Sequence, residues 1–164
     1  MNSDKLEFLS AELGELLFER KLFFTSAESC TGGWVGQSVT GVPGSSRWFG
    51  AGFITYSNIA KMNILGVQKE TLNNFGAVSE EVVKEMVKGA LNKSGAQIGV
   101  AISGIAGPGG GSEQRPVGTV CIAWLLEGKE IVSSTEHFLG NRNEVRWASV
   151  ECALVHSIRL IKEN

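Results

Sequence analysis

The sequence predicts an α/β layered domain built on a mixed sheet, and three observations carry that expectation. Segments with apolar residues at helical spacing alternate with short apolar runs of strand length. Two of those runs end in turns rich in Ser, Thr and Gly. The last two runs are joined through Glu127-Gly128-Lys129, a hairpin-length connection that gives the sheet an antiparallel part.

Taken in order, Leu6, Leu9, Leu13, Leu16 and Leu17 recur at helical spacing between Ser3 and Lys21, with Ser3 as the expected N-cap of an amphipathic helix. Leu22-Phe23-Phe24 is a strand-like run that stops in Ser26-Ala27-Glu28-Ser29-Cys30-Thr31-Gly32-Gly33, and a helix is expected to restart at Trp34. Phe53 to Tyr56 reads as a strand leaving Gly50-Ala51-Gly52, and Asn58 is expected to cap a short helix through Leu65 that Gly66 stops. Ser79 opens another amphipathic helix, ending near Gly95. Ile98 to Ile102, Thr119 to Leu126 and Ile131 to Phe138 are three further strands. A last helix is expected from about Asn143 to Ile161, with Val145, Ala148, Val150, Ala153, Leu154, Ile158 and Ile161 on its apolar face.

A chain of 164 residues can bury a full core, and residues 1–164 read as one domain without repeat or linker. Its 15 basic and 17 acidic residues are scattered, with no basic stripe to follow a phosphate backbone, so nucleic acid is not an expected partner. No apolar run approaches the roughly 18 residues of a membrane span, and no charged-then-apolar leader opens the chain. A cytoplasmic location away from membranes follows as the expectation. Cys30, Cys121 and Cys152 are odd in number and lack C-x-x-C spacing, which argues for reduced thiols rather than disulfides or zinc.

Three segments carry chemistry. A strand that ends in the Ser29 to Gly33 turn and restarts as a helix presents small polar side chains and free N–H groups at a sheet edge. An anion, the oxyanion of an acyl transfer, or a hydroxyl nucleophile all suit such a place. The second segment, Ser103 to Ser112, is glycine-rich after a strand but matches neither G-x-x-x-x-G-K-[ST] nor G-x-G-x-x-G. Its plain alternative is a surface loop; two polar turns at strand ends favour a ligand site instead. The third is Tyr56-Ser57-Asn58-Ile59-Ala60-Lys61, with the only tyrosine of the chain. A serine nucleophile needs a base, and His137 and His156 fall in a strand and a helix away from these loops, which leaves Lys61. Lowering a lysine from about 10.4 to about 7–8 for that task requires desolvation or a neighbouring positive charge.

Ala-Glu-Ser-Cys-Thr-Gly-Gly at 27–33, Val-Pro-Gly-Ser-Ser at 42–46, Tyr-Ser-Asn-x-x-Lys at 56–61, Gly-Ala-Val-Ser at 76–79, Ser-Gly-Ile-Ala-Gly-Pro-Gly-Gly-Gly at 103–111 and Pro-Val-Gly-Thr-Val at 116–120 resemble the competence/damage-inducible protein A C-terminal domain family. The resemblance spans about residues 5–162. Stand-alone members of that family are nicotinamide-nucleotide amidohydrolases. The resemblance implies a three-layer α/β/α fold that commonly forms a homodimer, and hydrolysis of nicotinamide mononucleotide to nicotinic acid mononucleotide and ammonia. The sequence offers no metal-ligand cluster, so a reaction without metal or cofactor is expected.

Carried over by position, the resemblance makes Ser29 the nucleophile, Lys61 its base and Tyr56 a hydrogen-bonding partner that steers the proton. Ser46 is the rival nucleophile or a pocket donor. Cys30 is the third candidate, because a thiolate at a helix N-terminus has a lowered pKa. The amides of Cys30, Thr31, Gly32 and Gly33 are expected to take the oxyanion. Ser103, Gly104, Gly107, Gly109, Gly110 and Gly111 are expected to cradle the nucleotide, with Arg142 and Arg146 reaching its phosphate or a neighbouring subunit. Where the family usually has Gly-Asp-Arg, this chain has Gly140-Asn141-Arg142. A non-catalytic nucleotide-binding or regulatory domain is the alternative, opposed by intact Ser29, Tyr56 and Lys61. A metal-dependent phosphotransferase is disfavoured because Asp4 is the only aspartate.

Overall fold

The computed structural model describes residues 3–164, in the order α1 (Ser3–Arg20), β1 (Phe24–Glu28), α2 (Trp34–Thr40), β2 (Phe49–Ile54), α3 (Asn58–Leu65), α4 (Lys69–Phe75), α5 (Glu80–Ser94), β3 (Ile98–Gly104), β4 (Thr119–Leu126), β5 (Val132–His137) and α6 (Arg142–Lys162). The strands form one mixed sheet in the order β2-β1-β3-β4-β5. β1 runs parallel to both β2 and β3, whereas β3, β4 and β5 are successive antiparallel neighbours. Ser3, the expected cap of α1, is instead the first residue of the helix itself.

Strand alternation divides the core into two unequal layers. Phe24, Val100, Ile102, Ile122 and Trp124 project to one face and pack with Leu13 and Leu17 of α1, Val35 and Val39 of α2, and Leu154 and Ile161 of α6. Ala27, Ala101, Cys121 and Ala123 project to the other, against Val83, Met86 and Val87 of α5 and Leu65 of α3. Small residues on the second face let α5 lie close to the sheet. Gly99 belongs to this pattern, since a Cβ there would meet Leu91 Cδ1 at 2.6 Å and Thr25 Cγ2 at 2.8 Å. With helices on both faces, β3 and β4 are buried nearly end to end, which explains their unbroken apolar character.

Several boundaries differ from expectation. β1 extends past its apolar start through Thr25, Ser26 and Glu28, all buried, because their polar groups are paired internally. Thr25 Oγ1 donates to the Ala51 carbonyl at 2.8 Å, for example. β2 is Phe49–Ile54 rather than Phe53 to Tyr56: the glycines form the strand itself, on a sheet edge where a missing side chain costs little packing. Ser57, not Asn58, caps α3, its Oγ accepting from Ala60 N at 3.1 Å. β3 continues through Ser103 and Gly104, which pair with Cys121 and Val120. α4 was not expected, since Leu72 is its only buried residue and leaves no periodicity to detect. Ser79 and Gly95 cap α5 as the sequence indicates.

Candidate active site

Parallel pairing of β1 with β2 and β3 brings three strand ends together: Glu28 stands opposite both Ile54 and Ile102. The turn after β1 therefore lies beside the segment leaving β2 and the loop leaving β3. Ser29 extends the ladder by one residue, its N–H donating to the Ile102 carbonyl at 2.9 Å. Alternation then points Ser29 toward the α3–α5 layer and Cys30 toward the opposite core, where Cys30 is packed.

Ser29 is 8% exposed and Lys61 only 1%. Lys61 Nζ donates to Ser29 Oγ at 3.0 Å, to the Thr55 carbonyl at 2.9 Å and to the Tyr56 carbonyl at 3.2 Å. A charged ammonium fills all three contacts. A neutral amine keeps its two hydrogens on the carbonyls and turns its lone pair toward the Ser29 hydroxyl. Among the described residues no carboxylate forms an ion pair with Lys61. Burial accordingly holds its amine below the usual lysine range.

Cys30 does not behave as a helix-terminal thiolate. Burial pushes its thiol up to about 12, helped by the Glu28 carboxylate and opposed by its own backbone N–H and by Arg146. Ser46 is exposed on a short 3₁₀ turn, Ser45–Arg47, that precedes β2. That places it near the amino end of β2, roughly 15–20 Å along the strand from the carboxyl end where Lys61 and Ser29 meet.

Two of the amides after Ser29 are committed within the turn. Gly33 N donates to Glu28 Oε2 at 3.0 Å and Gly32 N to the Ser29 carbonyl at 3.0 Å. Thr31 is wholly buried and its hydroxyl donates to Glu28 Oε2 at 2.7 Å. Gly32 and Gly33 have φ values of 62° and 96°, the left-handed backbone that this tight turn requires and that side chains rarely adopt. Of the four amides expected to face an oxyanion, those of Gly32 and Gly33 are thus taken within the turn, which leaves the N–H groups of Cys30 and Thr31.

Arg142 sits on the first turn of α6 and reaches across the mouth. Its Nη1 donates to the Gly107 carbonyl at 2.7 Å and its Nη2 to the Tyr56 hydroxyl at 3.2 Å. Tyr56 thus touches Lys61 through its carbonyl, whereas the residue is 62% exposed and its hydroxyl serves Arg142. Arg146, one turn further, donates from Nε to the Cys30 carbonyl at 3.1 Å and from Nη2 to the Thr31 carbonyl at 2.9 Å. Its guanidinium also lies 5.2 Å from the centroid of the Trp34 ring. Asn141 does not pair with Arg142. It caps α6, accepting from Asn143 N at 2.9 Å and Glu144 N at 3.2 Å, while Glu144 Oε2 accepts from Asn141 N at 2.7 Å. Asn and Asp are equivalent in that role, so the departure from Gly-Asp-Arg leaves the helix start intact.

The glycine loop is firm at its base and open at its tip. Ser103 is buried and donates to the Ala77 carbonyl at 2.7 Å. Gly104 lies in β3, where a Cβ would meet Val120 Cγ2 at 2.7 Å. Gly109, Gly110 and Gly111 are exposed at the tip. His137 and His156 lie elsewhere, beside Thr119 and Trp124 respectively.

Sequence reasoning missed Glu28. This carboxylate is 1% exposed and accepts from Ser26 Oγ, Thr31 Oγ1 and the amides of Gly33, Val35 and Gly36. Its signal was a lone acidic residue at the end of a strand otherwise free of charge.

Comparison with known proteins finds relatives along the whole chain. A nicotinamide-nucleotide amidohydrolase PncC from Enterobacter agglomerans is 43% identical over the full length of both chains. Its namesake from Escherichia coli K12 is 49% identical over 94% of this chain and 93% of its own. Among solved structures, the competence/damage inducible protein CihA from Agrobacterium tumefaciens superposes with a TM-score of 0.93 at 40% identity, covering 95% of each chain. A CinA superfamily protein from Klebsiella pneumoniae gives the same TM-score at 35% identity over both whole chains. Residues 6–161 match the family described as CinA C-terminal domain, and the chain belongs to that family.

Proposed function

We propose that this chain hydrolyses the carboxamide of nicotinamide mononucleotide, releasing ammonia and nicotinic acid mononucleotide, with Ser29 as nucleophile and Lys61 as general base. The observation that carries this reading is the 3.0 Å contact between Lys61 Nζ and Ser29 Oγ in a site without a carboxylate partner for the lysine. The names of full-length relatives support the substrate.

An amide carbonyl is a poor electrophile, so dividing hydrolysis into acylation and deacylation lowers each barrier. In acylation the Ser29 proton passes to neutral Lys61 as Oγ attacks the carboxamide carbon. The Cys30 and Thr31 N–H groups, next to Ser29 in the chain, are the amides offered to the resulting oxyanion. Lys61 then returns its proton to the departing nitrogen, the C–N bond breaks, and ammonia leaves an ester on Ser29. Water attacks that ester, giving its proton to Lys61. Ester cleavage returns the proton to Ser29 Oγ and frees the acid. Arg142, exposed beside the glycine loop, is the cation offered to the nucleotide phosphate.

The test is incubation of purified protein with nicotinamide mononucleotide, following ammonia enzymatically and the nucleotide by mass spectrometry. Stoichiometric release of both products is expected, and Ser29→Ala should abolish it. Binding of the nucleotide without release would instead identify a non-catalytic binding domain.

A further inference from the structure

We propose that Glu28 is a positioning residue for the Ser29–Lys61 pair, an internal anion around which the nucleophile turn is wound. The inference rests on the proposed reaction and adds the group that holds its two reacting side chains in register.

Glu28 makes two kinds of connection. Its side chain is a hub: Oε2 accepts from Thr31 Oγ1 at 2.7 Å, Gly33 N at 3.0 Å and Val35 N at 3.0 Å, and Oε1 from Gly36 N at 2.9 Å and Ser26 Oγ at 3.2 Å. These five donors come from both sides of Ser29 in the chain. No Lys or Arg pairs with Glu28 among the described residues. Its charge is held by neutral dipoles, three of them amides at the start of α2. Its backbone carbonyl makes the second connection, accepting from Thr55 N at 2.9 Å. Thr55 in turn offers its own carbonyl to Lys61 Nζ. One residue therefore anchors the turn that carries the nucleophile and abuts the residue that holds the base.

The start of α2 is consequently occupied by the protein's own carboxylate, so a substrate anion has to be met elsewhere. The turn is also gripped from outside, where Arg146 takes the Cys30 and Thr31 carbonyls. Amides turn inward to Glu28 and carbonyls outward to Arg146. Because Glu28 and Ser29 are adjacent, fixing the first side chain in the α2–α6 layer fixes the second on the opposite face.

Glu28→Gln keeps the shape and most of the bonds, since the amide oxygen can take the three-donor position. The amide nitrogen then faces Gly36 N–H, donor against donor, and the turn loosens there. Displacing a reacting group by about 1 Å costs roughly 10²-fold in rate. Two readouts are expected to fall by about that factor in the folded variant: kcat for ammonia release, with KM within about threefold, and the rate at which a fluorophosphonate labels Ser29, followed by intact mass. The pH at which the rate rises should not move, because Glu28 acts on position rather than on the charge of Lys61. A kcat within about threefold of wild type, an effect on KM alone, or a shifted pH profile would overturn the assignment. Should Glu28→Gln not fold, Thr31→Val removes one donor and leaves the charge; about a tenfold loss in both readouts supports the assignment and unchanged rates sink it. A wild type that releases no ammonia refutes the proposed reaction, while the labelling rate still reads Glu28.

Discussion

Lys61 and Ser29 stand 32 positions apart in the chain, yet Nζ and Oγ lie 3.0 Å apart in a pocket of the fold where the lysine is 1% exposed. The contact exists because β1 and β2 are parallel neighbours whose carboxyl ends coincide. Burial without a counter-charge then lowers the affinity of the amine for its proton.

The rate of amide hydrolysis is therefore expected to rise with pH as neutral Lys61 accumulates, with a midpoint below that of an ordinary lysine. Lys61→Arg retains positive charge but cannot accept a proton, and should be nearly inactive throughout. A pH–rate profile of both proteins checks this. Near-normal turnover by the arginine variant would reduce Lys61 to an electrostatic role.

The same shift has a consequence for stability. The unfolded lysine keeps its proton up to about 10.4, whereas the folded one releases it earlier, so between those limits the unfolded state binds more protons and stability rises with pH. Below the folded pKa the penalty for the buried ammonium is fully present. Lys61→Met lacks it, so the difference in Tm, variant minus wild type, should be largest at low pH and shrink toward pH ~10. Melting curves across that range decide it; a constant difference would remove burial of the ammonium as the cause.

Ser29→Ala should lose at least about 10³-fold in kcat, while Cys30→Ala retains substantial activity. The thiol, pushed up to about 12 by burial, faces the opposite layer from Lys61. Steady-state assays of the two variants, with circular dichroism to verify folding, test the assignment, and the reverse pattern would move the nucleophile by one residue.

Arg142 and Arg146 are expected to separate kinetically. Arg142→Ala removes an exposed cation at the mouth and should raise KM more than it lowers kcat. Arg146→Ala frees the Cys30 and Thr31 carbonyls and should lower kcat at nearly constant KM. Tyr56→Phe loses only the bond from Arg142 and keeps the carbonyl contact to Lys61, so its effect should be the mildest of the three. Michaelis parameters for these variants provide the measurement; equal effects at both arginines would merge the roles.

Helices with strong periodicity, such as α1 and α6, and strands buried on both faces, such as β3 and β4, were legible in the sequence because burial imposes a regular apolar pattern. β1 was misplaced toward its apolar start since its last four residues, Thr25 to Glu28, satisfy polar groups by contacts to other strands and turns, which no local pattern encodes. α4 buries a single leucine and left no pattern. At the site, Ser29, Tyr56 and Lys61 were legible as residue types in a resembling order. Their division of labour was not: whether Tyr56 meets Lys61 by its hydroxyl or its carbonyl depends on backbone direction at the end of β2. Likewise, the two arginines differ in what they hold only because successive turns of α6 face different loops.

Placing a serine and a cysteine side by side on opposite faces of a sheet also separates catalysis from oxidant chemistry. Peroxides attack the thiolate form of accessible cysteines, and Cys30 is both protonated at neutral pH and enclosed by apolar side chains, while the group proposed to react is a hydroxyl that such oxidants leave alone. With the proposed serine nucleophile, activity is expected to persist under conditions that silence amidases with a cysteine nucleophile.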